Sequence, residues 1–289
     1  MVEFTPEVLG AAVERAQRAA REGRALDAIG ADAGMWELHS GYAVAGGRHC
    51  GGFVTRLALE SVQAGDVVEV LYTPPDAQDI KLSAWHPMMP VGPSDGLGGQ
   101  HGYLRWVRHE PGEITQNHLS AAIELTPHRS DAQPELTRVM LLQPDSFTAT
   151  TLALSRSMSS GGTSWGEHIY FALPEGTPAD IRIGGERLDT LLRPGAAQGV
   201  AAGDAQFWPD FPGDAVVTFP DKEILLQATY TEAGGYTTVQ GFGMLIWQRP
   251  GQPSICLEPV RGYSPETGNS GLALPAGRLA SMATTIQML

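Results

Sequence analysis

A chain of 289 residues, 42% hydrophobic and 18% charged, has enough apolar side chain for a sizeable core and does not require a second large domain. Its formal charge of −13 repels phosphate backbones and anionic lipid, which argues against nucleic acid or a membrane surface as the principal partner. With 35 Gly and 21 Pro the sequence is dense in turns, so an all-β body of many short strands is expected rather than long helices.

The stretch Met1 to Pro6 lacks a basic and then apolar leader, and no later run reaches the roughly 18 apolar residues of a membrane span, so a cytoplasmic protein is expected. Cys50 and Cys256 lie far apart without metal-binding spacing and read as two reduced thiols used as small hydrophobes. Thr5-Pro6-Glu7 supplies a capping hydroxyl, a first-turn proline and an early acid, and Val8, Leu9, Ala12, Val13, Ala16 and Ala19 keep one apolar face. Residues 1–35 therefore read as a helical arm that clads the rest or makes an oligomer contact such as a homodimer.

From Tyr42 onward the helical period gives way to short β-branched and aromatic runs between Gly, Pro and Asp. Strands are expected near Phe53–Leu59, Val67–Tyr72, Gly102–Val107, Leu119–Leu125, Leu136–Leu142, Phe147–Leu154 and His168–Ala172. Further ones follow near Ala215–Phe219, Ile224–Thr229, Tyr236–Trp247, Ser254–Leu257 and Ala280–Met288. Two turn-rich passages, Thr73 to Gln100 and Arg187 to Gly213, read as long loops whose Trp85, Trp208 and Phe211 order them or line a binding surface.

Three segments place titratable side chains in strand-like sequence. In Gln100-His101-Gly102-Tyr103-Leu104-Arg105, period two puts His101, Tyr103 and Arg105 on one face, offering donors to hydroxyls or an anion. In Glu167-His168-Ile169-Tyr170-Phe171, His168 and Tyr170 share a face, and a core histidine competes with a catalytic one. In Ser254-Ile255-Cys256-Leu257-Glu258-Pro259, Cys256 and Glu258 face together, and Pro259 places Glu258 near a strand end. Asp210 and Asp214, between the last two segments, read either as hydroxyl ligands or as turn residues.

The ordered set His-Gly-x-x-Arg (His101 to Arg105), His-x-Tyr-Phe (His168 to Phe171) and Leu-Glu-Pro (Leu257 to Pro259) resembles the aldose 1-epimerase, or galactose mutarotase-like, superfamily. The resemblance implies a β-supersandwich over residues 36–289 that binds a monosaccharide or sugar phosphate. It implies Glu258 as catalytic base and His168 as catalytic acid, with His101, Arg105 and Asp214 or Asp210 holding the sugar. No cofactor is implied, whether metal, nucleotide or flavin. The expected function is interconversion of hexose or hexose-phosphate anomers, the alternative being a non-catalytic carbohydrate-binding or regulatory protein of the same fold. The arm is an addition to the family pattern, as is Asp76 to Gly99, whose His86-Pro87-Met88-Met89-Pro90 would reshape the pocket. A metal-dependent barrel built from the eight His is the weaker rival, since the chain has no His-x-His or Cys-x-x-Cys pair.

Overall fold

The computed structural model describes residues 34–61, 65–73, 84–92, 101–102, 104–117, 119–127, 135–154, 164–173, 180–187, 206–219, 222–232, 237–238, 241–247, 253–269 and 279–289. The helical arm lies outside these residues up to position 33, and Met35 already opens a strand.

In chain order the strands are β1 (Met35–Ser40), β2 (Ala43–Arg48), β3 (Phe53–Glu60), β4 (Val67–Glu69), β5 (Trp85–Met88), β6 (His109–Pro111) and β7 (Thr115–Gln116). Then come β8 (Ala121–Pro127), β9 (Glu135–Leu142), β10 (Ser146–Leu154), β11 (Trp165–Ala172), β12 (Asp180–Ile183), β13 (Glu186–Arg187), β14 (Gln206–Phe211) and β15 (Asp214–Thr218). The last are β16 (Glu223–Glu232), β17 (Thr237–Thr238), β18 (Phe242–Trp247), β19 (Ser254–Arg261), β20 (Tyr263–Ser264), β21 (Gly268–Asn269) and β22 (Leu279–Met288).

They form two large sheets. The first runs β1-β2-β3-β5-β11-β19-β18-β14, with β4 on β3, and the second runs β13-β12-β15-β16-β22-β10-β9-β8-β6, with β17 on β16 and β7 on β8. Alternation decides which side chains go between them. From the first sheet Trp85, Ile169, Phe171, Met244, Ile246 and Leu257 join Met140, Phe147, Leu226, Met282 and Ile286 of the second in one apolar core. The Trp85 and Phe147 rings meet edge-on across the layers with centroids 5.3 Å apart. At about 1.5–3 kcal/mol for each large apolar side chain buried, this inter-sheet layer is the main source of cohesion.

One ion pair lies within that layer. Arg138 on β9 reaches Glu167 on β11 through two bonds of 2.5 and 2.8 Å, and Trp85 Nε1–H donates to the same carboxylate at 2.7 Å. Both ions are buried, so the bidentate geometry and the extra donor are what make their removal from water tolerable.

β11 and β19 are buried along nearly their whole length, because their second faces are covered too. Met88, Val91, Leu245 and Val260 form a smaller apolar cluster beyond the first sheet, with Phe207 and Tyr263 packed on it.

Several expected boundaries change. The first long loop contains β5, with Pro87 in a strand that β3 joins through the single pair Val54↔Trp85. The second loop contains β14, bulged between Trp208 and Phe211. The expected strand Gly102–Val107 is instead a 3-10 turn at Leu104–Trp106, entered through positive φ at His101 and Gly102. The expected strand Tyr236–Trp247 divides into β17 and β18, which belong to different sheets. Nor does Pro259 end a strand at a rim. β19 continues to Arg261 in the interior of the sheet, and its ladder with β11 is interrupted between Gly166↔Val260 and Ile169↔Leu257. A proline nitrogen without a hydrogen falls in that interruption.

Candidate acid–base site

β5, β11 and β19 are successive neighbours, and their registers put one polar row across the sheet. His86 pairs with His168, and His168 stands opposite Glu258 within the interrupted ladder. All three side chains leave the sheet on the face away from the main core, since Trp85, Ile169 and Leu257 take the other face.

Within the row His168 Nε2 lies 3.4 Å from Glu258 Oε1. The Cys256 thiol, two residues back on the same face, donates to Glu258 Oε1 at 3.3 Å and sits 3.6 Å from His168 Nδ1. The ring of His86 stacks on that of His168 with centroids 4.5 Å apart, and Tyr170 meets His168 edge-on at 4.9 Å. Relative exposures of 4% for His168 and Glu258 and 0% for Cys256 and His86 make this an almost dry cluster.

His101 arrives from the loop before the 3-10 turn. Its ring lies 5.1 Å from that of His168, and its Nδ1 is 3.0 Å from the carbonyl of Val91. A carbonyl only accepts, so Nδ1 carries the hydrogen and Nε2 keeps its lone pair while the ring is neutral. Gly102 secures this placement: its φ is +70°, and a Cβ there would collide with the Met89 carbonyl. Arg105 in the turn is half-buried and close enough to His101 to disfavour its protonation.

Burial dominates the electrostatics. It pushes the Glu258 carboxyl up to about 7, against the bond from Cys256, which works the other way. It draws His101 down to about 4, with Arg105 adding to the effect and the Val91 bond opposing it. His168 and His86 fall well below the usual imidazole range for the same first reason, and the Cys256 thiol rises well above its usual value. Near neutrality the imidazoles are therefore uncharged, and the titrating proton of the His168–Glu258 pair rests on the carboxyl.

The structure thus brings together His101, Arg105, His168 and Glu258. It separates the two aspartates from them. Asp210 is exposed at the β14 bulge with φ +57°, and Asp214 is half-buried on β15 in the second sheet; neither has an interaction with the polar row. Two members escaped assignment in the sequence. Cys256 shows the right alternation with Glu258 but reads as a core thiol, and His86 is masked by its proline-rich surroundings. The alternation Trp85-His86-Pro87-Met88 is the signal that places it.

No protein-family model and no curated protein matches the sequence. Solved structures do. A Synechocystis sp. PCC 6803 protein superposes with a TM-score of 0.60 over 92% of this chain and 100% of its own, at 16% identity. The galactose mutarotase related enzyme from Lactobacillus acidophilus gives 0.58 over 88% and 97% at 13% identity. A galactose mutarotase-like protein from Clostridium acetobutylicum gives 0.56 over 90% and 99% at 14% identity. Two packed antiparallel sheets and superposition over nearly the whole of each of these proteins show that the chain has the galactose mutarotase-like β-sandwich fold.

Proposed function

We propose that the chain interconverts the anomers of a hexose or hexose phosphate. The observation that carries this reading is the dry His168–Glu258 pair, 3.4 Å apart, with the carboxyl raised to about 7. Opening a pyranose requires removal of the C1 hydroxyl proton and protonation of the ring oxygen, so that the C1–O5 bond breaks to a free aldehyde. Rotation about C1–C2 and reclosure on the other face give the second anomer. The roles of acid and base exchange on closing, so the pair needs one proton between its members in each direction.

With its carboxyl raised to about 7, Glu258 is the member of the pair that holds that proton. Its transfer to His168 creates the carboxylate that accepts the C1 hydroxyl proton and the imidazolium that protonates O5. His101 Nε2, with Nδ1–H held by Val91, is suited to accept from a sugar hydroxyl, and Arg105 to donate to one.

Polarimetry on freshly dissolved glucose, galactose and their 6-phosphates tests the proposal. Acceleration of any of them above the buffer rate is the expected result. The near-complete burial of His168 and Glu258 favours a second reading, a sugar-binding protein without turnover. Measurable sugar binding with no acceleration would select it.

A further inference from the structure

We propose that His168, Cys256 and Glu258 form a binding site for a thiophilic divalent cation of the zinc class. The three residues offer one imidazole nitrogen, one sulfur and one carboxylate oxygen, all within 4.8 Å of one another and all buried. A tetrahedral zinc with bonds of about 2.3 Å to sulfur and about 2.0–2.1 Å to nitrogen or oxygen has ligand-to-ligand edges of roughly 3.5 Å to sulfur and roughly 3.3–3.4 Å between nitrogen and oxygen. The edges present are 3.6 Å from Sγ to Nδ1 and 3.7 Å to Nε2, 3.3 Å from Sγ to Oε1, and 3.4 Å from Nε2 to Oε1. They form one face of such a tetrahedron without movement of the backbone. Nε2, which lies 3.7 Å from Sγ and 3.4 Å from Oε1, is the ring nitrogen that closes this triangle.

The donor set selects the ion. A thiolate with an imidazole favours zinc, cobalt or nickel over magnesium or calcium, which take oxygen ligands. A water completes the coordination. Binding releases the Cys256 thiol proton, and that of Glu258 where it is present, to solvent. It also occupies the two groups assigned to acid–base chemistry, so the ion inhibits; that consequence alone rests on the function proposed above.

The test adds cobalt(II) to the chelator-treated full-length protein and follows the thiolate-to-metal charge-transfer absorption. One equivalent should develop the band in wild type and in Cys50→Ser, zinc should abolish it, and magnesium should leave it intact. Cys256→Ser should lose the band, and Glu258→Gln should keep it with at least tenfold weaker binding. Zinc-edge X-ray absorption of the wild type should find one sulfur with two or three nitrogen or oxygen ligands, a readout that needs no variant. Absence of the band in wild type, its survival in Cys256→Ser, its loss in Cys50→Ser, or a zinc shell without sulfur overturns the proposal. Sulfur-bound cobalt in a protein that accelerates no anomer exchange supports the metal site and counts against the acid–base reading instead.

Discussion

Replacing Glu258 by Gln keeps shape and volume, and it keeps an oxygen for the Cys256 thiol while removing the only ionisable oxygen pair in the polar row. Its amide nitrogen can donate to the neutral imidazole of His168 3.4 Å away. In the native protein the carboxyl ionises near 7 rather than at its ordinary 4.5, a difference worth about 3 kcal/mol at about 1.4 kcal/mol per pH unit. The sign follows from the raised folded-state value. The stability associated with the protonated carboxyl is fully present below 4.5 and is lost as the pH rises through 7. Wild type and Glu258→Gln should therefore have similar stabilities near pH 4, whereas at pH 8 the variant should be more stable by about 3 kcal/mol, read by urea unfolding at stepped pH. In polarimetry the same variant should lose roughly 10²- to 10⁴-fold in kcat, the usual scale of general acid–base catalysis, while sugar affinity is largely retained. A stability difference that does not change with pH would refute the buried, neutral carboxyl, and unchanged turnover would remove Glu258 from the chemistry.

In chelator-treated protein, kcat/KM corrected for the buffer rate should fall as the pH rises through about 7, where the pair loses its shared proton, and His168→Asn should remove most of the activity; a rate that climbs through pH 7 would mean that carboxylate and neutral imidazole suffice. On the acid side His101, which ionises near 4 in the folded chain instead of 6.5, contributes stability that is complete above 6.5 and lost as the pH falls through 4; His86 and His168 act in the same direction, so melting temperature should decline in acid in thermal scans. Arg138→Met leaves Glu167 buried without its guanidinium and should cost about 3–5 kcal/mol in urea unfolding, whereas a loss under about 1 kcal/mol would show that Trp85 and Thr151 suffice to hold the carboxylate. Gly102→Ala forces a side chain into left-handed backbone against the Met89 carbonyl, so it should destabilise by more than about 2 kcal/mol and depress turnover by moving His101; Gly65→Ala, with similar φ but open space around it, should cost about 1 kcal/mol, and equal losses would remove the collision from the explanation.

The sandwich was legible because alternation and turn residues are local properties, and strands such as β9, β10, β16 and β22 show both. β5 and β14 were hidden because Pro87 and Pro209 read as loop punctuation, while the partners that make them strands, β11 and β18, come from remote parts of the sequence. Period two correctly placed Cys256 beside Glu258 and His168 beside Tyr170. It failed for His101 and Arg105, whose approach to the row comes from a positive-φ turn rather than a strand face. Sequence also could not say that Glu258 is interior. Pro259 suggested a rim, and only the interrupted ladder between β11 and β19 shows how a central strand accommodates it.

That interruption has a mechanical side. Over two residues of each strand the backbones of β11 and β19 are not paired, and the side chains of His168 and Glu258 span the same stretch. A group that entered between acid and base would displace side chains without having to break main-chain pairing there. The rungs on either side, Gly166↔Val260 and Ile169↔Leu257, would hold the strands in alignment while it did so. The register is the same on both sides of the interruption, so the two strands hold the bases of His168 and Glu258 opposite each other while the side chains meet on the outer face of the sheet.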